Sequence, residues 1–182
     1  MQELSMNILD VAENAVAAGA TLIAIALEQD TAAMRQTLRI EDNGRGMDAA
    51  TVQKVTDPFY TTRTTRDVGL GLPFLKMAAE MTGGALAIES TPGKGTCVSA
   101  SYGLGHIDLM PLGDMGGTVA ALVQARPDID IDFSFCRDGA VFRFTTAEAR
   151  EILGGVSLGE AAVAQFIKSY VDEGIEAARQ AG

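Results

Sequence analysis

Residues 39–48 read RIEDNGRGMD: the end of a strand, two carboxylates, then glycines at the alternate positions 44 and 46. Asp-Asn-Gly is a common way to close a strand, so a turn is the plain reading. The residues just before it ask for more. Over 36–42 (QTLRIED) the period of two puts Leu38, Ile40 and Asp42 on one face and Glu41 on the other. A carboxylate that faces the core side is costly unless something hydrogen-bonds to it. The stretch therefore predicts a backbone that something approaches closely and that Asp42 grips.

Working outward, residues 3–18 are expected to form a helix ended by Gly19. Leu4, Ile8, Val11 and Ala15 make its apolar stripe, and Glu3, Asn7, Asp10 and Asn14 make a second stripe about 100° away. An acid and an amide thus stand one turn apart at the margin of the buried face, a pattern a plain surface helix also produces. Residues 21–27 and 36–42 read as strands, and 48–55 as a short helix. The polar stretch within 57–72 (DPFYTTRTTRDVGLGL) has no clear period and reads as a mobile loop. A helix of about 72–81 follows, with Pro73 in its first turn, where a missing N–H costs little. Gly83-Gly84 ends it, and ALAIES (85–90) and CVSASY (97–102) read as strands around the turn TPGKGT.

Beyond about residue 103 the composition changes. HIDLMPLGDMGG (106–117) reads as irregular or a broken helix, and 117–125 as helical. IDIDFSF and AVFRFT flank CRDG as a β-hairpin with an Asp138-Gly139 turn, and helices of about 146–153 and 157–180 close the chain. The expected division is 1–103 for one domain and 104–182 for a small α+β interaction or regulatory segment.

The 182 residues, 47% of them hydrophobic, suffice for a real core. A net charge of −10 argues against nucleic acid or an anionic membrane as the main partner. No apolar run reaches membrane-spanning length and the N-terminus lacks a signal-peptide pattern. Cys97 and Cys136 match no metal-site spacing. A reduced, cytoplasmic protein is expected.

Four signals fall in order: Asp10 and Asn14 on a helix, Asp-x-Gly-x-Gly at 42–46, Gly69 and Gly71 opening a helix after a basic, threonine-rich loop, and Gly-x-Gly-Thr at 93–96. Together, over roughly residues 4–102, they resemble the GHKL ATP-binding family of gyrase, heat-shock chaperones, histidine kinases and MutL repair proteins. AENAVAAGAT looks like the MutL version of the motif around the conserved asparagine, and DPFYTTR…GLGL…GG…PGKGT like the histidine-kinase version. The resemblance implies an α/β sandwich of the Bergerat type, a mixed and largely antiparallel sheet with helices on one face.

It also implies roles. Asp42 would accept from the adenine amino group, with Gly44 and Gly46 making room for the base. Asn14 would be the ligand of a Mg²⁺ that bridges the phosphates of ATP. Gly69 and Gly71 would offer N–H groups to phosphate at a helix start. Arg63 and Arg66 would neutralise phosphate from the lid, with Phe59 anchoring its hinge. Met47, Leu70, Leu72 and Thr96 complete the nucleotide-binding set, and Asp10 and Arg63 the catalytic pair. Asp10 stands where the family often has Glu, shorter by a methylene, so its reach as a general base is reduced. GKGT is not a phosphate-binding P-loop, because the preceding Gly-x-x-x-x spacing is missing.

The implied function is a Mg-ATP-binding, histidine-kinase-like protein that passes the γ-phosphate to a protein partner in signalling. A nucleotide-driven switch or slow ATPase, and an anti-sigma-like Ser/Thr kinase, are the alternatives. A repair role of the MutL kind fits least. The one histidine, His106, is more simply a structural or surface residue than a phosphoacceptor. Self-association is left open.

Overall fold

The structure is a computed structural model, which describes residues 2–57 and 70–182. Helix α1 (Leu4–Ala17) leads into β1 (Leu22–Asp30), which pairs antiparallel with β2 (Arg35–Asp42). The short α2 (Ala49–Lys54) precedes the undescribed residues, and α3 (Gly71–Met81) follows them. Strands β3 (Leu86–Thr91) and β4 (Gly95–Gly103) form the next hairpin, and β4 adds to β2. Then come α4 (Met115–Ala125), β5 (Asp130–Arg137), β6 (Ala140–Thr145), α5 (Thr146–Leu153) and α6 (Ala161–Ala181).

All six strands lie in one sheet of order β3-β4-β2-β1-β5-β6. Every pairing is antiparallel except β1 with β5. This is the mixed, largely antiparallel sheet expected. Alternation decides its faces: Ile23, Ile25, Leu27, Leu38, Ile40, Val98, Ala100, Ile131, Phe133 and Phe135 are buried on one side. Arg39, Glu41 and Glu28, on the other, are exposed. The helices supply the cover: Leu4, Ile8 and Val11 of α1, Leu75 of α3, Val119 and Val123 of α4, and Ile167 and Val171 of α6 all join the same core.

The hairpin expected beyond residue 103 is present, with Asp138 and Gly139 both at positive φ (47° and 87°), as a tight two-residue hairpin turn demands. It builds no sheet of its own, because β1 has a free side and β5 takes it in parallel register. Sheet and core therefore run across position 103. Asp138 ties the two hairpins together, accepting from the Thr31 N–H at 2.8 Å and its hydroxyl at 2.6 Å.

Several boundaries differ from the sequence reading, and three of them have a clear local cause. Helix α4 starts at Met115 and not at 117, since the Asp114 carboxylate accepts from the Gly117 N–H at 2.8 Å and caps the helix early. Helix α6 starts at Ala161, four residues later than expected, because Ser157 closes a turn with Gly159 and Glu160. Strand β1 ends three residues later, paired with β2 through Asp30 and with β5 through Gln29.

The start of α1 is capped from far away. Glu3, its N-cap, makes no side-chain cap; the Leu4 and Ser5 N–H groups donate instead to the Pro111 and Leu112 carbonyls, each at 3.0 Å. Residues 109–113 thus form a strap over the first turn, with Met110 Sδ accepting from the buried Asn7 side chain at 3.5 Å. No helix among the described residues is long and apolar enough to cross a membrane.

Candidate functional site

Three elements meet at the other end of α1. The helix presents Asn14 half-buried and Asp10 exposed, at the edge of the stripe buried through Ile8, Val11 and Ala15. Against it lies the first turn of α3. A Cβ built on Gly71 would stand 2.8 Å from the Cβ of Asp10, so only glycine lets the two helices approach this closely. The wall of α3 takes enough water from Asp10 to raise its carboxyl above the usual range, although solvent still reaches it.

Leu70 is the N-cap of α3 and makes no side-chain hydrogen bond to it, while Gly71 and Leu72 are buried. No side chain caps this helix start, Pro73 has no N–H to offer, and the Phe74 N–H donates to the Leu70 carbonyl at 3.0 Å.

Asp42 ends β2, opposite Ile23 on one side and Thr96 on the other. It is half-buried, and its Oδ1 accepts from the Gly44 N–H at 2.7 Å. Desolvation raises its pKa, against the opposing pull of the backbone N–H groups of Gly44 and Thr96. A carboxylate so placed has acceptor capacity to spare in a partly dry setting.

The glycines beside it have a second reason to be glycine. A Cβ on Gly44 would meet Ala18 at 2.9 Å, and one on Gly46, which sits at φ 68°, would fall 2.1 Å from the Thr91 carbonyl oxygen. The space they keep open is filled by the protein itself, by Asp42 and Ala18 beside Gly44 and by the Thr91 backbone beside Gly46. The loop is further pinned by Asn43, whose Oδ1 accepts from the Thr21 and Leu22 N–H groups at 2.8 and 3.0 Å, and by the Arg45 N–H on the Ala18 carbonyl at 2.9 Å.

Met47 donates its N–H to Ser90 Oγ at 2.8 Å, and Ser90 Oγ lies 2.9 Å from Thr96 Oγ1. Asn43 and Ser90 were not singled out from the sequence. Asn43 carried a visible signal, an amide at a strand end before glycine; Ser90 carried none, since its partner on β4 is set only by register.

The structure therefore gathers Asp10, Asn14, Asp42, Gly44, Gly46, Met47, Gly71 and Thr96 around the α1, α3 and β2 ends. Phe59, Arg63, Arg66 and Gly69 lie outside the described residues. Among the described residues no group of three or more His, Cys, Asp or Glu could hold a metal by itself. The donor set fits a Mg²⁺ that takes most of its oxygens from phosphate and one from the Asn14 amide.

Comparison with known proteins agrees with this geometry. The family described as "Histidine kinase-, DNA gyrase B-, and HSP90-like ATPase" matches residues 1–105. A protein of Shewanella frigidimarina described as a sensor protein is 35% identical over 109 residues, 59% of this chain and 17% of its own length. The sensor protein kinase FleS of Pseudomonas aeruginosa is 38% identical over 93 residues, 51% of this chain and 23% of its own. This chain thus spans about a fifth of the length of these curated relatives. Among solved structures, the N-terminal domain of a DNA repair protein superposes with a TM-score of 0.59 at 14% identity, over 79% of this chain and 52% of that one, a likeness of fold alone. With more than half of its residues matched, and the motif residues of that match drawn to one end of a mixed sheet, this chain belongs to the histidine kinase-, DNA gyrase B- and HSP90-like ATPase family.

Proposed function

We propose that the chain binds Mg-ATP between α1, α3 and the end of β2 and passes the γ-phosphate to a protein partner in signalling. The observation that carries this reading is the contact of Asp10 with Gly71, an exposed acid against a helix start without a side-chain cap, together with a half-buried acceptor, Asp42, at the end of β2. Asp42 would read the adenine amino group through its free acceptor capacity. The N–H groups at the start of α3 would meet phosphate oxygens, helped by the helix dipole. Asn14 would hold the metal, which when bound screens the charge of the phosphates. Arg63 and Arg66 complete the proposal from the lid.

The acceptor would come from a second protein. From Thr96 to Gly103 strand β4 runs roughly 23 Å at about 3.3 Å per residue, and His106 lies past its far end. That distance supports transfer away from the chain over transfer to its own histidine.

A second reading, a switch or slow ATPase in which nucleotide orders the lid, is favoured by Asp10, whose side chain is one methylene shorter than Glu. One experiment separates the readings. Purified protein is incubated with γ-labelled ATP and a cell extract, beside Asn14→Ala. Labelling of a protein that is lost in the variant supports transfer, and acid-stable label marks a Ser or Thr acceptor. Binding without label, with slow or no phosphate release, supports the switch. Unchanged ATP affinity in Asp42→Ala ends the nucleotide assignment.

A further inference from the structure

At the opposite end of α1 from the nucleotide site lies a cavity of about 430 Å³ between α6 and the strap, a size within the range of small-molecule sites. Pro111 and Leu112 form one wall, and the buried Met115 and Ile175 give it an apolar patch within a mixed lining. Three charged side chains of α6 also border it, and their partners sort them. Asp172 is already used, accepting from the Gly116 N–H at 3.0 Å and from Lys168 at 2.9 Å. Glu176 accepts from Gln180 at 2.9 Å. Arg179 is half-buried with its guanidinium over the ring of Phe135, 5.8 Å from the centroid. Among the described residues it has no carboxylate within 4 Å.

We infer that this cavity is a ligand site for a small carboxylate with an apolar body, and that its occupancy acts on α1. Arg179 supplies an unspent cation whose planar fork suits a carboxylate. Met115 and Ile175 supply the contact for the hydrocarbon part. Lys168 balances the charge of Asp172, and the remaining charge of Glu176, bonded only to a neutral amide, biases the site against a second negative charge and so favours a monoanion.

The route to α1 is short. The two carbonyls that cap the first turn of the helix belong to Pro111 and Leu112, which are also cavity wall. Asn7, on the same stripe as Asp10 and Asn14, is held by Met110 of the same strap. A ligand that shifts the strap therefore shifts the helix that carries the proposed metal ligand. This last link rests on the nucleotide reading; the cavity itself does not.

The test uses the full chain labelled at methionine methyls and titrated with 4-methylpentanoate, without nucleotide. The expected result is saturable movement of the Met115 resonance, with the Met110 resonance moving in step. 4-Methylpentanamide, lacking the charge, should bind at least tenfold more weakly. Arg179→Met should lose the response, and Asp42→Ala should keep it. Leu112→Trp, which fills the cavity from the strap, serves as a second block should Arg179→Met fail to fold. Saturating probe should also change ATP affinity severalfold, and ATP should change probe affinity by the same factor. No saturable shift, an equal response to the amide, or a response that survives both variants overturns the site. Met115 movement with a still Met110 and unaltered ATP affinity overturns the coupling. If the methyl responses appear but the chain binds no ATP at all, the nucleotide reading fails and the cavity stands.

Discussion

Gly71 and Asp10 stand so close that a Cβ on the glycine would lie 2.8 Å from the Cβ of the aspartate. The contact sets the distance between α1, which carries Asp10 and Asn14, and the start of α3. Gly71→Ala would gain about 1 kcal/mol of helix propensity but must push the helices apart, at a cost of about 1–3 kcal/mol. Stability is therefore expected to change by less than about 2 kcal/mol. ATP affinity is expected to fall by roughly tenfold or more, which corresponds to about 1.4 kcal/mol. Thermal melts beside a nucleotide titration check this; unchanged affinity would show that the spacing does not matter to binding.

In the proposed reading Asp42 trades stability for recognition. Burial raises its folded pKa, so the charged form is disfavoured in the fold relative to the unfolded chain. Protonation then occurs first in the folded state, and this group's contribution to stability improves as the pH falls from above its folded pKa to below the unfolded value. Asp42→Asn, which keeps the acceptor for the Gly44 N–H, is expected to melt higher than the parent at pH 7 and no differently at pH 3. Its ATP affinity should be lost at both. In the parent, ATP affinity should weaken on acidification at a pH above the ordinary carboxylate range. A variant that melts lower at neutral pH would contradict the desolvation argument.

Gly46→Ala meets two penalties at once. The residue sits at φ 68°, where a Cβ costs about 1–2 kcal/mol, and that Cβ would fall 2.1 Å from the Thr91 carbonyl oxygen. A loss of at least about 2 kcal/mol is expected in a denaturant titration, adding about 1–3 kcal/mol for overpacking. Gly93→Ala, at φ 78° but with open space around its Cβ, should cost only the conformational part. Equal losses in the two would show that the contact with Thr91 is unimportant.

Asp114 should be worth about 1 kcal/mol as the cap of α4. Lys168 and the Gly117 N–H hold its carboxyl below the usual range. Its stabilisation is therefore present above the unfolded pKa and lost as the pH falls through the lower folded value. Asp114→Ala is expected to destabilise at pH 7 and to match the parent at strongly acid pH. Salt should reduce the difference only in part, since the exposed Lys168 pair is screened and the cap is not.

The local signals were legible where chemistry is local. Alternation at Leu38, Ile40 and Asp42 identified the face of β2, the 3.6-residue period put Asp10 and Asn14 on one stripe, and Asp138-Gly139 announced its own turn. Asn14 and Asp42 are 28 residues apart in sequence, and the proposal that they serve one site was readable only through resemblance to a family.

The sequence by itself determined which residues alternate, where the glycine-rich turns fall, and that the ordered motifs belong to one ATPase family. Only the tertiary structure decided that β5 joins β1, that Pro111 and Leu112 cap α1, and that Ala18 and the Thr91 carbonyl occupy the space beside Gly44 and Gly46. Sheet order and long-range capping depend on which backbone groups are left without partners once the chain has collapsed, and no short window of residues carries that information.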